Sequence, residues 1–134
     1  MAATIEFELV SPERLLKSAP VEMAVIPCVE GDIGVLPGHS PLIATVRPGV
    51  IDIHEQGRVV ERIFVAGGFT EVSPERCTVL AEEAVPLADL TRSEVEQRLA
   101  KAREALGDAE TAAQKNAAER QVRVAEAMLA AAKP

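Results

Sequence analysis

Residues 30–42 read EGDIGVLPGHSPL, with three glycines, two prolines and the chain's first histidine in thirteen positions. Such a cluster either lines an active site or turns a chain, and the two readings lead to different folds. Four of its residues carry turn chemistry. In Leu36-Pro37-Gly38-His39, proline at the second position presets φ, and glycine at the third accepts the positive φ of a type II turn. Gly31 and Gly34 allow sharp bends on either side of a very short strand. Turn formation accounts for the glycines and prolines. It does not account for the display of Asp32 and His39.

Around this stretch the sequence alternates with a period of two. In TIEFELV, Ile5, Phe7 and Leu9 share one face and Glu6 and Glu8 the other, the pattern of a half-buried strand. VEMAVIPC places Val21, Met23 and Val25 together. GVIDIHEQGRVVERIFVAGG predicts two strands, Val50–His54 and Arg58–Ala66, joined by a turn at Glu55–Gly57. FTEVSPERCTVLAEE repeats the design, with its turn at Ser73–Arg76. Short strands with turn signals every ~8–12 residues predict a β-sandwich or flattened barrel and not βαβ units. No helix-period segment precedes residue 89.

The grammar changes at Pro86–Leu90. Beyond it alanine is dense, Gly107 is the one glycine, and no proline occurs until Pro134. Thr91-Arg92-Ser93-Glu94 has the capping-box pattern, with Thr91 as N-cap and Glu94 at N3. Val95, Leu99, Ala102 and Leu106 follow on one helical stripe. Gly107 suits the left-handed position after a helix, and Asp108 suits the cap of the next. Ala113, Ala117, Val124, Met128 and Ala131 form the second stripe, flanked by Val122, Ala125 and Leu129. The short connection predicts an antiparallel hairpin of helices about 25–35 Å long. The chain is therefore read as α+β: a β-sandwich or flattened barrel over residues 1–86, then a two-helix hairpin over 87–134. Alanine removes only about a third of the apolar area that leucine does, at ~25 cal/mol per Å². The hairpin's grip on other surfaces is accordingly modest. That leaves two readings open, permanent packing on the sandwich or a conformational role.

Composition narrows the function. The net charge is −7, with three Phe, no Trp and no Tyr. A phosphate-binding surface needs basic residues, and single-stranded nucleic acid needs aromatic platforms, so nucleic acid is not an expected partner. Residues 1–88 hold thirteen acids and six bases, and residues 89–134 hold eight of each, so the β-half carries the whole −7. An acidic domain favours basic or polar partner surfaces. The N-terminus MAATIEFELV has neither a basic region nor an Arg-rich character, so neither a signal nor a transit peptide is expected. No apolar run is long enough to span a bilayer, which predicts a soluble protein without membrane insertion. Cys28 and Cys77 lie apart, each in an apolar run, and read as buried hydrophobes rather than a disulfide or metal site.

Motifs for catalysis are lacking. There is no G-x-S-x-G, P-loop, HExxH or Rossmann glycine pattern. His39 and His54 lie in different segments, and neither has an evident nucleophile or carboxylate partner. Glu82 and Glu83 are placed on opposite faces of a strand, as rim charges. No catalytic residue, metal or cofactor is expected.

Three blocks, EGDIGVLPGHSPLI, VRPGVIDI and VAGGFTEVSPERCTVLAEEA, together resemble the N-terminal domain of the epsilon subunit of bacterial F-type ATP synthase, in order and in spacing. The two-helix segment that follows extends the resemblance over essentially the whole chain. The motifs are most specific in residues 30–50 and 66–84. The resemblance implies a non-catalytic rotor subunit, peripheral at the cytoplasmic face of the bacterial inner membrane. Its β-sandwich would bind the gamma subunit and rest on the polar loops of the c-ring, helping to couple proton flow to ATP synthesis. Its hairpin would switch between a folded state and an extended one that reaches the alpha/beta hexamer and restrains hydrolysis.

Carried onto this chain, the resemblance implies interface roles for Glu30, Gly31, Asp32, Gly38 and His39. Asp32 and His39 are the foremost polar contacts, and Ser11 lies on a neighbouring loop. Some members of the family bind ATP through Asp-x-x-Arg-Ala at the start of the helical domain. Asp89 and Arg92 keep that spacing here, but Ser93 stands in place of the alanine. The capping reading of Thr91 and Glu94 and the N-terminal position of Asp89 account for the same residues without a nucleotide. Two other functions stay open on the sequence: a free-standing nucleotide sensor using Asp89 and Arg92, and a small enzyme using His39 or His54.

Overall fold

The computed structural model describes residues 3–132. The first two residues of the amino-terminal stretch, Lys133 and Pro134 lie outside them. The chain divides into two compact units, Met1–Pro86 and Leu87–Pro134.

The first unit holds ten strands: β1 (Ile5–Val10), β2 (Leu15–Val21), β3 (Met23–Cys28), β4 (Gly31–Val35), β5 (Leu42–Val46), β6 (Gly49–Glu55), β7 (Arg58–Val65), β8 (Gly68–Val72), β9 (Arg76–Ala81) and β10 (Ala84–Pro86). They are hydrogen-bonded in the order β10-β7-β6-β3-β5-β8-β9-β1-β2, with β4 on β3. All pairs are antiparallel except β1 with β9. β3 is where the sheet passes from one layer to the other. Met23–Val25 pair with β6, whereas Cys28 pairs with Val46 of β5. The layers enclose an aliphatic core that includes Ile5, Phe7, Leu9, Ile26, Val35, Ile51, Ile53, Ile63 and Val79.

The strands predicted around residues 50–66 form, as Gly49–Glu55 and Arg58–Val65, with the turn narrowed to Gln56-Gly57. Both turn residues have positive φ, and Glu22 Oε1 accepts the Gln56 N–H at 2.9 Å. The expected grouping of Val21, Met23 and Val25 is incorrect. A bend at Glu22 reverses the parity, so Val21 joins the core with Ala24, Ile26 and Cys28 while Met23 and Val25 point outward. Glu82 and Glu83 are not in a strand either. They lie in the link from β9 to β10, where their backbones bond to Gly67 and Ala66. Gly68 is required by close approach: φ is +141°, and a Cβ there would lie 1.9 Å from the Leu80 carbonyl oxygen.

The second unit opens with a 3-10 turn, Leu87–Asp89, followed by α1 (Arg92–Asp108) and α2 (Ala112–Ala131). Thr91 is the N-cap of α1, but its hydroxyl donates to Glu94 Oε1 at 3.1 Å and caps no backbone N–H, so the expected box does not close. Gly107 and Asp108 are both helical, which corrects their expected roles after α1 and before α2. The true cap of α2 is Thr111. Its Oγ1 accepts the Gln114 N–H at 3.1 Å, and Gln114 Oε1 accepts the Thr111 N–H at 3.2 Å. Val95, Leu99 and Ala102 are buried as predicted, with Leu106 half-buried. In α2 the buried set is Ala118, Val124, Ala125 and Met128, whereas Ala113 and Ala117 are exposed. No described helix is long and apolar enough to cross a membrane.

Candidate functional site: one sheet face and the turns at its ends

The register of the strands decides where the expected interface residues lie. Val29-Glu30 is the two-residue turn between β3 and β4, and Gly31, with φ +129°, opens β4. Pro27 faces Asp32 across the hairpin, and its carbonyl accepts the Arg47 N–H at 2.9 Å. Arg47, just beyond β5, reaches this turn. Its Nη1 donates to the Cys28 carbonyl at 2.6 Å, and its Nη2 meets Asp32 Oδ1 at 2.7 Å. Asp32 is thus ion-paired within the chain, whereas Glu30 is exposed and makes no ion pair or side-chain hydrogen bond among the described residues. A concavity of about 540 Å³ adjoins the turn, lined by Glu30, Asp32, Ile33 and Ile43 among others.

The type II turn forms as the sequence predicts. Gly38 has φ +83°, and the His39 N–H donates to the Leu36 carbonyl at 3.1 Å. The Gly38 N–H donates to the Pro74 carbonyl at 2.8 Å, which ties this turn to the one between β8 and β9. His39 is half-buried, with Nδ1 2.7 Å from the Ser40 carbonyl oxygen. Ser11 closes a short loop after β1, bonded to Arg14 through backbone and hydroxyl.

These residues do not form one loop cluster. Glu6 pairs with Arg76 and Val10 with Leu80, so the β8–β9 turn and Ser11 lie at opposite ends of β1. Four strand steps separate them, about 13 Å. Gly38 and His39 are at the β8–β9 turn. The β3–β4 turn is at Ser11's end, because the Val29 N–H donates to Thr45, whose register continues through Phe69 and Leu80 to Val10.

That same register exposes something the sequence reading missed. Phe69 lies opposite Leu80, Leu80 opposite Val10, and Val10 opposite Leu15, all on the face turned away from the core. Phe69, Leu80 and Leu15 are each more than half exposed, and Ile43 on the same face is 71% exposed. The adjoining row is polar: Glu71, Thr78 and Glu8, with Arg76 Nη1 2.7 Å from Glu8 Oε1. An apolar row with a polar border is the make-up of a protein-docking face. The signal was legible in GFTEV, where Phe69 shares the parity of Glu71 and not of Val72.

In the helical unit a groove of about 890 Å³ runs between α1 and α2, lined by Gln97, Arg98, Lys101, Ala105, Gln114 and Gln121 among others. Asp89 and Arg92 do not line it. Asp89 lies in the 3-10 turn, and Arg92 Nε is 3.5 Å from Glu96 Oε2 on the same helix. No group of three potential metal ligands occurs among the described residues. The two cysteines are buried and free. Burial pushes the Cys77 thiol up to about 11, partly offset by its contact with Thr70. Burial raises Cys28 as well, and the Arg47 charge opposes that rise.

The family model for the ATP synthase Delta/Epsilon chain β-sandwich domain matches residues 4–87. The chain belongs to the ATP synthase epsilon-chain family. It is 56% identical over 133 residues to the ATP synthase epsilon chain of Rhodospirillum rubrum, covering 99% of each chain. It is 56% identical over 131 residues to that of Paramagnetospirillum magneticum, covering 98% of each. A chain of the Euglena gracilis mitochondrial ATP synthase, seen by cryo-EM as OSCP/F1/c-ring in rotational state 1, superposes with a TM-score of 0.79 at 26% identity, covering 96% of this chain and 81% of that one. Membership gives the chain its role as a non-catalytic subunit of the rotor stalk of ATP synthase.

Proposed function

We propose that the β-unit joins two partners within that complex through separate surfaces. The row Phe69–Leu80–Val10–Leu15, with Ile43, is the seat of the gamma subunit. Ser11 lies at one end of the strands that carry it, and Gly38 and His39 lie at the other. The β3–β4 turn, with Glu30, Gly31 and Asp32, meets the polar loops of the c-ring. The observation that carries this reading is the exposed row itself. Large apolar side chains on the outward face of four adjacent strands are unfavourable in water, and burial against a partner recovers ~25 cal/mol per Å². Such a joint would pass the rotation of the ring to gamma and so couple proton flow to synthesis. It places the chain at the cytoplasmic face of the membrane without inserting it. The helical hairpin is the unit through which the alpha/beta hexamer would be reached and hydrolysis restrained.

The test replaces Phe69 and Leu80 with serine in the full chain and measures its affinity for gamma. Both side chains are exposed, so the fold should persist, and circular dichroism would confirm it. Affinity should fall at least about tenfold for each substitution, the effect of removing an anchor from a docking surface. Unchanged binding by both variants would rule the face out as the gamma seat.

A further inference from the structure

We propose that Arg47 is the positioning residue of the β3–β4 turn, holding it in the shape that docks, and that Asp32 acts through Arg47 while Glu30 is the acid presented outward. The inference rests on the reading that this turn meets the c-ring. Three bonds reach the turn from the end of β5. The Arg47 N–H donates to the Pro27 carbonyl at 2.9 Å, Nη1 donates to the Cys28 carbonyl at 2.6 Å, and Nη2 holds Asp32 Oδ1 at 2.7 Å. The guanidinium therefore binds the residue before the turn and the second residue after it. A planar fork can make both bonds at once, which a lysine ammonium on a flexible stem does far less well.

The turn needs such a clamp. Its two residues, Val29 and Glu30, are both exposed, and Gly31 has φ +129° with nothing within 4 Å of a Cβ built on it. Little packing holds the tip, so its conformation depends on polar bonds from outside the hairpin: those of Arg47 and the 2.9 Å bond from Val29 N–H to the Thr45 carbonyl. With Asp32 turned to Arg47, its Oδ1 is already engaged within the chain. Glu30, exposed and without an ion pair among the described residues, is then the carboxylate available to a hydrogen-bond donor or cation on the ring.

A double-mutant cycle in the full chain tests this, read as affinity for an assembled gamma–c-ring complex. Arg47→Met and Asp32→Asn should each weaken binding about tenfold. The double variant should be no weaker than Arg47→Met alone, because Asp32 has then lost the group it acts through. Arg47→Lys should recover only part of the loss. If Asp32→Asn costs a further tenfold in the Arg47→Met background, Asp32 touches the ring directly and the proposal fails. Amide hydrogen exchange in the free chain supplies a readout that does not need the ring. Val29 and Gly31 should exchange at least tenfold faster in Arg47→Met while amides of β9 keep their rates. Unchanged turn rates overturn the clamp whatever the binding shows. If the unaltered chain fails to bind the ring, the docking reading falls, and exchange still decides the role of Arg47.

Discussion

The two units are built from different stock. Of the twelve largest fully buried side chains among the described residues, eleven belong to the β-unit and only Met128 to the hairpin. The β-unit is closed by pairings between strands distant in sequence, such as β1 with β9 and β5 with β8. The hairpin is local, two helices joined by three residues, with Ala102, Ala118 and Ala125 among its buried positions. Since apolar burial scales with area, the stability of the chain is concentrated in the sandwich and the hairpin holds with a lighter grip. A unit built on large aliphatic side chains and a hairpin built on small ones should answer differently to the same perturbation.

Truncation at Phe7 probes that contrast most strongly. Phe7 is fully buried in β1 between Ala19 of β2 and Cys77 of β9. Phe7→Ala should destabilise the β-unit by about 3–5 kcal/mol, through lost transfer energy and the cavity left behind. Chemical denaturation followed by circular dichroism would measure it. A cost near 1 kcal/mol would mean that the sandwich core is no better packed than the hairpin.

Alkaline pH gives a second way to separate the units, because both cysteines lie in the sandwich and none in the hairpin. The Cys77 thiol, ordinarily near 9.0, is held at about 11 by burial. Below pH 9 both folded and unfolded chains keep the proton, and the thiol contributes no pH dependence. Between pH 9 and 11 the unfolded chain loses its proton first, so the folded state holds more protons and its stability falls as pH rises. The full effect is about 2–3 kcal/mol for a shift of this size. Thermal melts of Cys77→Val should lack that part of the decline. Identical alkaline slopes for the two proteins would show that Cys77 ionises as readily folded as unfolded.

How far the sequence reveals these units depends on whether the signal is local. The strands around residues 50–66 are legible because alternation and the turn signal at Glu55–Gly57 agree. The type II turn at Pro37-Gly38 is legible for the same reason: two residues suffice to specify it. Parity was lost at Glu22, where one bend reverses which residues face inward. The apolar row was hidden for a different reason. In β8 the outward residue is Phe69 and the inward one Thr70, which satisfies its buried hydroxyl on the Thr78 carbonyl at 3.1 Å. The hydropathy of Phe69 and Thr70 taken singly places them backwards, and only the shared parity of Phe69 with Glu71 reveals the outward face. Arg47 and Asp32 are fifteen residues apart, and only the crossing of β5 behind the β3–β4 turn brings them together. Residues 30–39 read in sequence as a very short strand between bends at Gly31 and Gly34, yet β4 runs through Gly34 to Val35 and carries the two turns to opposite ends of the sandwich.

The caps sharpen the comparison within the hairpin itself. Thr91 and Thr111 both precede helices, but only Thr111 bonds a backbone N–H. Thr111→Ala should therefore cost about 1 kcal/mol. Thr91→Ala should cost only a few tenths, since it removes a hydroxyl whose one partner is an exposed carboxylate. Melting each variant under the same conditions checks the ratio. Equal losses would mean that Thr91 caps α1 in solution.

Gly107 supplies the smallest and most diagnostic change. Were it the left-handed residue that ends α1, a side chain there would be strained and Gly107→Ala would destabilise the hairpin by about 1 kcal/mol. It is instead an exposed helical residue, absent from the glycines of positive φ, and a Cβ built on it meets nothing within 4 Å. Alanine there removes conformational freedom from the unfolded chain and clashes with nothing. Gly107→Ala should therefore stabilise the hairpin by about 0.5–1 kcal/mol. The sign alone decides between a helix that runs to Asp108 and one that ends at Leu106, and a rise in the midpoint of the helical melt is the expected result. Because the hairpin has so few large buried side chains, a gain of that size is a larger share of its stability than the same gain would be in the sandwich.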